Sequence, residues 1–101
     1  MRAITQDAFD AFTSNTDWSR DNTRVENTSG TTDMYLFGNK IATKENASGI
    51  VQISDGDHGM TSTTKERLKP FASVYTKKGQ VYCDGMQWDG NWIVIGSGWG
   101  P

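Results

Sequence analysis

The residues best suited to bind something lie between positions 65 and 78. Lys65, Arg67, Lys69, Lys77 and Lys78 fall in that stretch, with Glu66 as the one opposing charge. Tyr75 lies among them and Tyr82 follows closely, so their rings could stack bases beside lysines that hold phosphates. On a helix, Lys65 and Lys69 are four apart and share a face, with Arg67 turned away. The plainer account is a solvated helix followed by a charged turn, since nucleic-acid sites carry a denser positive field. The chain also has no zinc spacing, no RRM-like aromatic run and no GXXG-type loop. A second group is aromatic: Trp88, Trp92 and Trp99, beside Met86. Trp and Met recur at binding hot spots. A small domain poor in aliphatic residues needs large rings inside, however, so Trp88 and Trp92 are expected in the core. Trp99, alone in a Gly-rich tail, is expected to be exposed.

Catalytic chemistry finds less support. Asp55-Gly56-Asp57-His58 offers two carboxylates and an imidazole. An EF-hand needs more acidic positions and a terminal Glu. Zinc would need further His or Cys, and His58 and Cys83 are the only ones. The stretch reads as a surface turn, with no metal and no cofactor. Cys83 with His58 is the one available nucleophile pair, but Cys83 falls inside a strand pattern, where a buried, unreactive thiol is the ordinary case. There is no nucleophile elbow, no Walker A loop and no dinucleotide fingerprint, and the carboxylates are too scattered to pair. The expectation is a protein that is not an enzyme.

The elements that must position these residues are short. Ile4–Phe12 reads as a helix with Thr5 as N-cap and Ile4 against Phe9 as a hydrophobic staple. Asn15–Asn22 has no period and reads as a loop. Thr23–Glu26 is a short strand. Asp33–Phe37 and Lys40–Thr43 flank a Gly38-Asn39 hairpin turn, and Ile50–Ile53 is a further strand. Thr63-Thr64-Lys65-Glu66 fits a capping box, opening a helix that Pro70 stops. Ser73–Thr76 and Gln80–Cys83 flank a three-residue loop, Lys77-Lys78-Gly79. Asp84-Gly85 and Asp89-Gly90 mark turns before Trp92–Ile95. Tyr35-x-x-Gly38-x-x-Ile41 followed by Ile50-x-x-Ile53 parallels Tyr82-x-x-Gly85-x-x-Trp88 followed by Trp92-x-x-Ile95, and each set follows a helix. That parallel suggests a helix-plus-meander unit used twice, although hairpins reuse glycine often enough to produce it by chance.

Composition bounds the rest. A chain of 101 residues, 35% hydrophobic and 11% aromatic, makes one domain with a thin core. The net charge of −2 argues against a surface built wholly for nucleic acid or anionic membrane. It conceals an asymmetry: residues 1–60 hold five Lys and Arg against nine Asp and Glu, and residues 61–101 hold five against three. A single cysteine excludes an internal disulfide and suggests a reducing compartment. No signal peptide and no membrane-spanning apolar run are present.

Tyr35-x-x-Gly38-Asn39-x-Ile41-Ala42, Thr63-Thr64-Lys65-Glu66-Arg67-Leu68 and Trp88-Asp89-Gly90-x-Trp92-Ile93 together resemble a group of short, uncharacterised proteins encoded by tailed bacteriophages. The likeness covers residues 4–95. It implies a viral origin and action in the host bacterial cytoplasm, and it supplies no site residues.

The expected fold is α+β: two short helices packed on a mainly antiparallel, hairpin-built sheet. Residues 1–95 form the domain and 96–101 a flexible Gly-rich tail. The expected function is that of a small non-enzymatic accessory protein that binds a host protein and inhibits a defence or metabolic factor. A second reading is a nucleic-acid-binding module using residues 65–78, and a third is an oligomer that sequesters a small molecule. The candidate binding residues are Lys65, Arg67, Lys69, Tyr75, Lys77, Lys78 and Trp99, in a monomer or homodimer with no membrane partner.

Overall fold

A computed structural model describes residues 2–57 and 59–99. The chain begins with helix α1 (Ala3–Thr13), which buries Thr5, Ala8, Ala11 and Phe12. Arg2, not Thr5, occupies the N-cap position. Thr5 lies one turn in because its hydroxyl is drawn inward by Glu66 and Arg67. The helix ends in a Schellman motif: Thr16 N donates to Ala11 O at 2.9 Å and Asn15 N to Phe12 O at 3.4 Å, with Asn15 left-handed at φ 57°.

Five antiparallel strands follow in a meander. They are β1 (Trp18–Arg20), β2 (Thr23–Thr28), β3 (Thr31–Leu36), β4 (Asn39–Glu45) and β5 (Ile50–Ile53). The expected loop over 15–22 therefore contains a strand. Three residues are too few to show periodicity, and β1 exists because Trp18 and Arg20 pair with Val25 and Thr23. The core face of the sheet carries Val25, Met34, Leu36, Ala42, Val51 and Ile53, all buried. Lys44 is also buried on that face, and its Nζ donates to the α1 carbonyls of Phe12 at 3.1 Å and Thr13 at 3.3 Å. A lysine thus closes the negative end of the helix dipole from the sheet, and its burial lowers its pKa.

Helix α2 (Ser62–Leu68) opens on Thr61, whose hydroxyl accepts from Thr64 N. The cap is two residues earlier than the capping-box pattern suggests, because Glu66 bonds to α1 instead of returning to Thr63. A second meander, β6 (Val74–Lys77), β7 (Gln80–Cys83) and β8 (Met86–Gln87), makes a separate three-stranded sheet. Then β9 (Ile93–Gly96) returns to the first sheet and pairs with β5, giving the order β1-β2-β3-β4-β5-β9. The fold is α+β, with two helix-plus-meander passes and a final strand that crosses from the second back to the first.

Three of the hairpin turns share one geometry. Leu36 pairs with Asn39, Lys77 with Gln80 and Cys83 with Met86. The intervening residues, Phe37-Gly38, Lys78-Gly79 and Asp84-Gly85, all have φ between 50° and 87°. These are two-residue primed turns, whose twist suits a hairpin. The turn expected at Gly38-Asn39 is displaced by one residue to Phe37-Gly38, and the loop expected at Lys77-Lys78-Gly79 is shorter by one residue, because the glycine takes the second position of a primed turn whose first position also needs positive φ. The parallel between Tyr35-x-x-Gly38 and Tyr82-x-x-Gly85 is this turn occurring twice.

Candidate functional site

The small sheet gathers much of the basic stretch. Lys65 Nζ donates to Thr76 Oγ1 at 2.9 Å, tying α2 to β6. Lys69 pairs with Glu66 at 3.2 Å. Lys65, Lys69, Val74 and Tyr75 line a groove of about 370 Å³ between α2 and β6. Tyr75 and Tyr82 face each other across β6 and β7, their rings 5.4 Å apart and 11° from parallel. Lys77 and Lys78 are exposed at the tip of that hairpin. Five of the seven expected binding residues, Lys65, Lys69, Tyr75, Lys77 and Lys78, therefore lie on one part of the molecule.

Arg67 does not. It is buried, and donates to Thr23 Oγ1 at 2.9 Å, Thr5 Oγ1 at 3.0 Å and Asn22 Oδ1 at 3.3 Å. Its guanidinium is a structural tie between α2, α1 and the start of β2. Glu66 extends the same network, accepting from Thr5 Oγ1 at 2.7 Å and Arg2 N at 3.1 Å. The Thr5 hydroxyl, with the Arg2 amide and Lys69, holds the Glu66 carboxyl down to about 2 against an ordinary 4.5. A carboxylate depressed on folding adds stability above its unfolded value and loses it as the pH falls towards the folded one. The thermal midpoint should therefore drop between pH 4.5 and 2, by an amount equivalent to about 1–2 kcal/mol after solvent screening. In E66Q that part of the acid dependence should disappear, which thermal melts across the range will show.

Trp99 is likewise withdrawn. It is half-buried, stacks on Phe71 at 5.8 Å and 13°, and meets Phe9 edge-on at 5.9 Å. Gly98 N and Trp99 N donate to Ser48 O and Gly49 O, both at 3.2 Å. The exposure expected for Trp99 fails because Phe9 and Phe71 form an aromatic seat that its ring completes. The tail expected over 96–101 is anchored at 96–99, and Gly100 and Pro101 lie outside the described residues. Of the other two tryptophans, Trp88 is in the core and donates its indole N–H to Asn91 O at 2.8 Å, whereas Trp92 is 45% exposed. Cys83 is buried in the core, and burial pushes its thiol pKa up. His58 lies outside the described residues. Asp55 and Asp57 beside it are joined locally, Asp57 N donating to Asp55 Oδ1 at 2.8 Å.

A second surface was not among the expected site residues. In an antiparallel meander the end of β3, the start of β4, the end of β5 and the start of β9 all lie at one end of the sheet. That end displays Phe37 at 66% exposure, then Trp92 and Ile93. A cleft of about 470 Å³ opens there between Lys40, the Ser54–Asp57 loop and Gly90–Trp92. Another, of about 310 Å³, is lined by Asp21, Asn22, Arg24, Tyr35 and Phe37. Arg24 lies over the Tyr35 ring at 4.3 Å. From Trp92 the exposed apolar surface continues along β9, where Val94 is 58% exposed. The signal was present in the sequence: residues 90–99 contain no charge.

No curated protein and no solved structure matches this chain. Residues 1–98 match the Kyanoviridae Gp96 protein family. With almost its whole length matched, the chain belongs to that family of tailed-phage proteins.

Proposed function

We propose that this phage protein is a non-enzymatic accessory factor that binds a host protein by strand addition at β9. The observation that carries this reading is the state of the two edges of the large sheet. Natural sheets guard their edges with charge, proline or shortness. The β1 edge is three residues long and bears Arg20, paired with Asp7 at 2.8 Å. The β9 edge, four residues long, carries neither charge nor proline: Ile93-Val94-Ile95-Gly96 is uncharged, and Ile93 and Val94 are exposed. An extended segment laid along β9 would satisfy its free backbone groups and cover Val94 on one face and Ile93 on the other. Trp92 at the strand's start supplies the kind of large anchor that dominates binding energy.

The test uses exposed positions, where substitutions change stability by about 0.5 kcal/mol or less. Val94→Lys restores the missing guard and Trp92→Ala removes the anchor. Tagged wild-type chain in host lysate should retain a specific host protein. V94K should abolish that capture and W92A weaken it by about tenfold or more, with unchanged thermal midpoints. Retention of the partner by both variants would sink the proposal. So would a V94K-sensitive homodimer in sedimentation, which would give the edge to a second copy.

A further inference from the structure

The small sheet has a solvent face with a different chemistry. Alternation along β6 and β7 turns Val74, Val81 and Cys83 towards the core cluster and places Tyr75, Lys77, Gln80 and Tyr82 on the other side. Gln87 joins them opposite Tyr82, and its Nε2 donates to Gln80 Oε1 at 2.8 Å. We infer that this face is a binding platform for single-stranded nucleic acid, with bases stacked on Tyr75 and Tyr82 and phosphates held by Lys77 and Lys78 at the hairpin tip and by Lys65 across the β6 edge.

Two independent observations support that occupant. The first is the ring pair. Tyr75 and Tyr82 are nearly parallel on an open face, and Tyr75 remains 39% exposed. Tyr75 also walls the groove that Lys65, Glu66 and Lys69 line from α2; Lys69 is paired with Glu66, so a base inserted there would extend the stack beside Lys65. Stacking on aromatic rings is indifferent to base identity but requires bases free of a duplex.

The second is charge. On the large sheet each surface cation has a carboxylate: Arg20 with Asp7, Arg24 with Glu26, Lys40 with Asp33. Beside the small sheet, Lys65 of α2 bonds the neutral Thr76 hydroxyl and pairs with no carboxylate among the described residues. Lys77 and Lys78 form no ion pair among the described residues. The acids of this half of the chain are three against five cations, and each makes its contacts away from the Lys77-Lys78 tip. Glu66 is held by Arg2, Thr5 and Lys69, Asp84 accepts from Ser73 N, and Asp89 accepts from Asn91. A local positive field therefore survives in a chain of net charge −2. It is too sparse to grip a duplex backbone but adequate for a short single strand aided by stacking.

Fluorescence anisotropy with fluorescein-labelled oligo-dT and oligo-rU of about 12 nucleotides, and a duplex control, tests the platform. Wild-type chain should bind the single strands at low salt and more weakly bind the duplex. Affinity should fall with salt at a log–log slope of about −2, as expected for three phosphate contacts on a single strand. The double variant K77E/K78E should lose about tenfold or more, and Y75L about tenfold, with unchanged melting curves. W92A and V94K should bind oligonucleotide normally, which separates this site from the β9 edge. The inference is overturned if wild-type protein at about 100 μM gives no low-salt signal on either strand, a concentration that would register even non-specific contact. Tighter binding to duplex overturns it too, as does Y75L binding like wild type.

Discussion

Replacing Arg67 with alanine is expected to lower the thermal midpoint by about 15 °C. The side chain is buried and makes three hydrogen bonds to neutral oxygens on three segments: Thr5 in α1, Asn22 in the β1–β2 turn and Thr23 in β2. Truncation removes all three bonds and opens space between the helices and the sheet. Hydrogen bonds from a charged group contribute about 1.5–3 kcal/mol each. Against that, burying a guanidinium carries a desolvation penalty that alanine removes, and burial does lower the Arg67 pKa. The balance is a loss of about 3 kcal/mol. Arg67→Met separates the two effects. Methionine fills much of the volume with an apolar chain, so the desolvation penalty goes and less of a cavity is left, and the loss should shrink to about 1 kcal/mol. Chemical denaturation of the two variants decides the matter. An R67A protein within 0.5 kcal/mol of wild type would show that the network does not hold the helices. Equal losses for R67A and R67M would place the whole cost in the hydrogen bonds.

Arg67 also marks where the sequence stopped being informative. Spacing alone put it on the face opposite Lys65 and Lys69, and the short helix does divide that way. Which face of a seven-residue helix meets the protein depends on what packs beside it, and the helix neighbours α1, more than fifty residues away. The same limit explains Trp92 and Trp88: both are large and apolar, but the turn at 89–91 sends one inward and leaves the other outside. Local signals fared better. Gly38, Gly79 and Gly85 gave the hairpins, and the single-residue errors, Phe37 left out of one turn and Lys77 taken into another, arose because bulky residues such as Phe37 and Lys78 rarely occupy the first, left-handed position of a two-residue turn. Strand β9 was legible as a strand. Its return to β5 was not, since sheet order is set by long-range pairing that no local pattern encodes. The candidate edge followed from that pairing, and so was hidden until the topology was known.

The second large effect is expected at Gly49, where the C-terminal segment meets the β4–β5 turn. Gly49 has φ 72°, and a Cβ there would lie 2.5 Å from Trp99 N and 2.8 Å from Gly98 N. Those are backbone atoms, so Gly49→Ala must displace the 98–99 segment. The hydrogen bonds from Gly98 N to Ser48 O and from Trp99 N to Gly49 O would go with it, and the Trp99 ring would lift from Phe71 and from its contact over Gly96. Positive φ costs an alanine about 1 kcal/mol, and the lost bonds and partial loss of aromatic packing add about 2 kcal/mol more. Gly30 provides the control. It has φ 93°, but a Cβ there would meet nothing within 4 Å, so Gly30→Ala should cost only the conformational part. Trp99→Ala alone should cost about 3 kcal/mol, as for a large aromatic lost from a packed site. Because G49A already unseats the ring, the double variant G49A/W99A should be more stable than the sum of its parts predicts, by about 2 kcal/mol. Urea midpoints for the four proteins and the G30A control measure this. Equal costs for G49A and G30A, or simple additivity of G49A with W99A, would mean that the approach of the C-terminal backbone to Gly49 does not anchor β9.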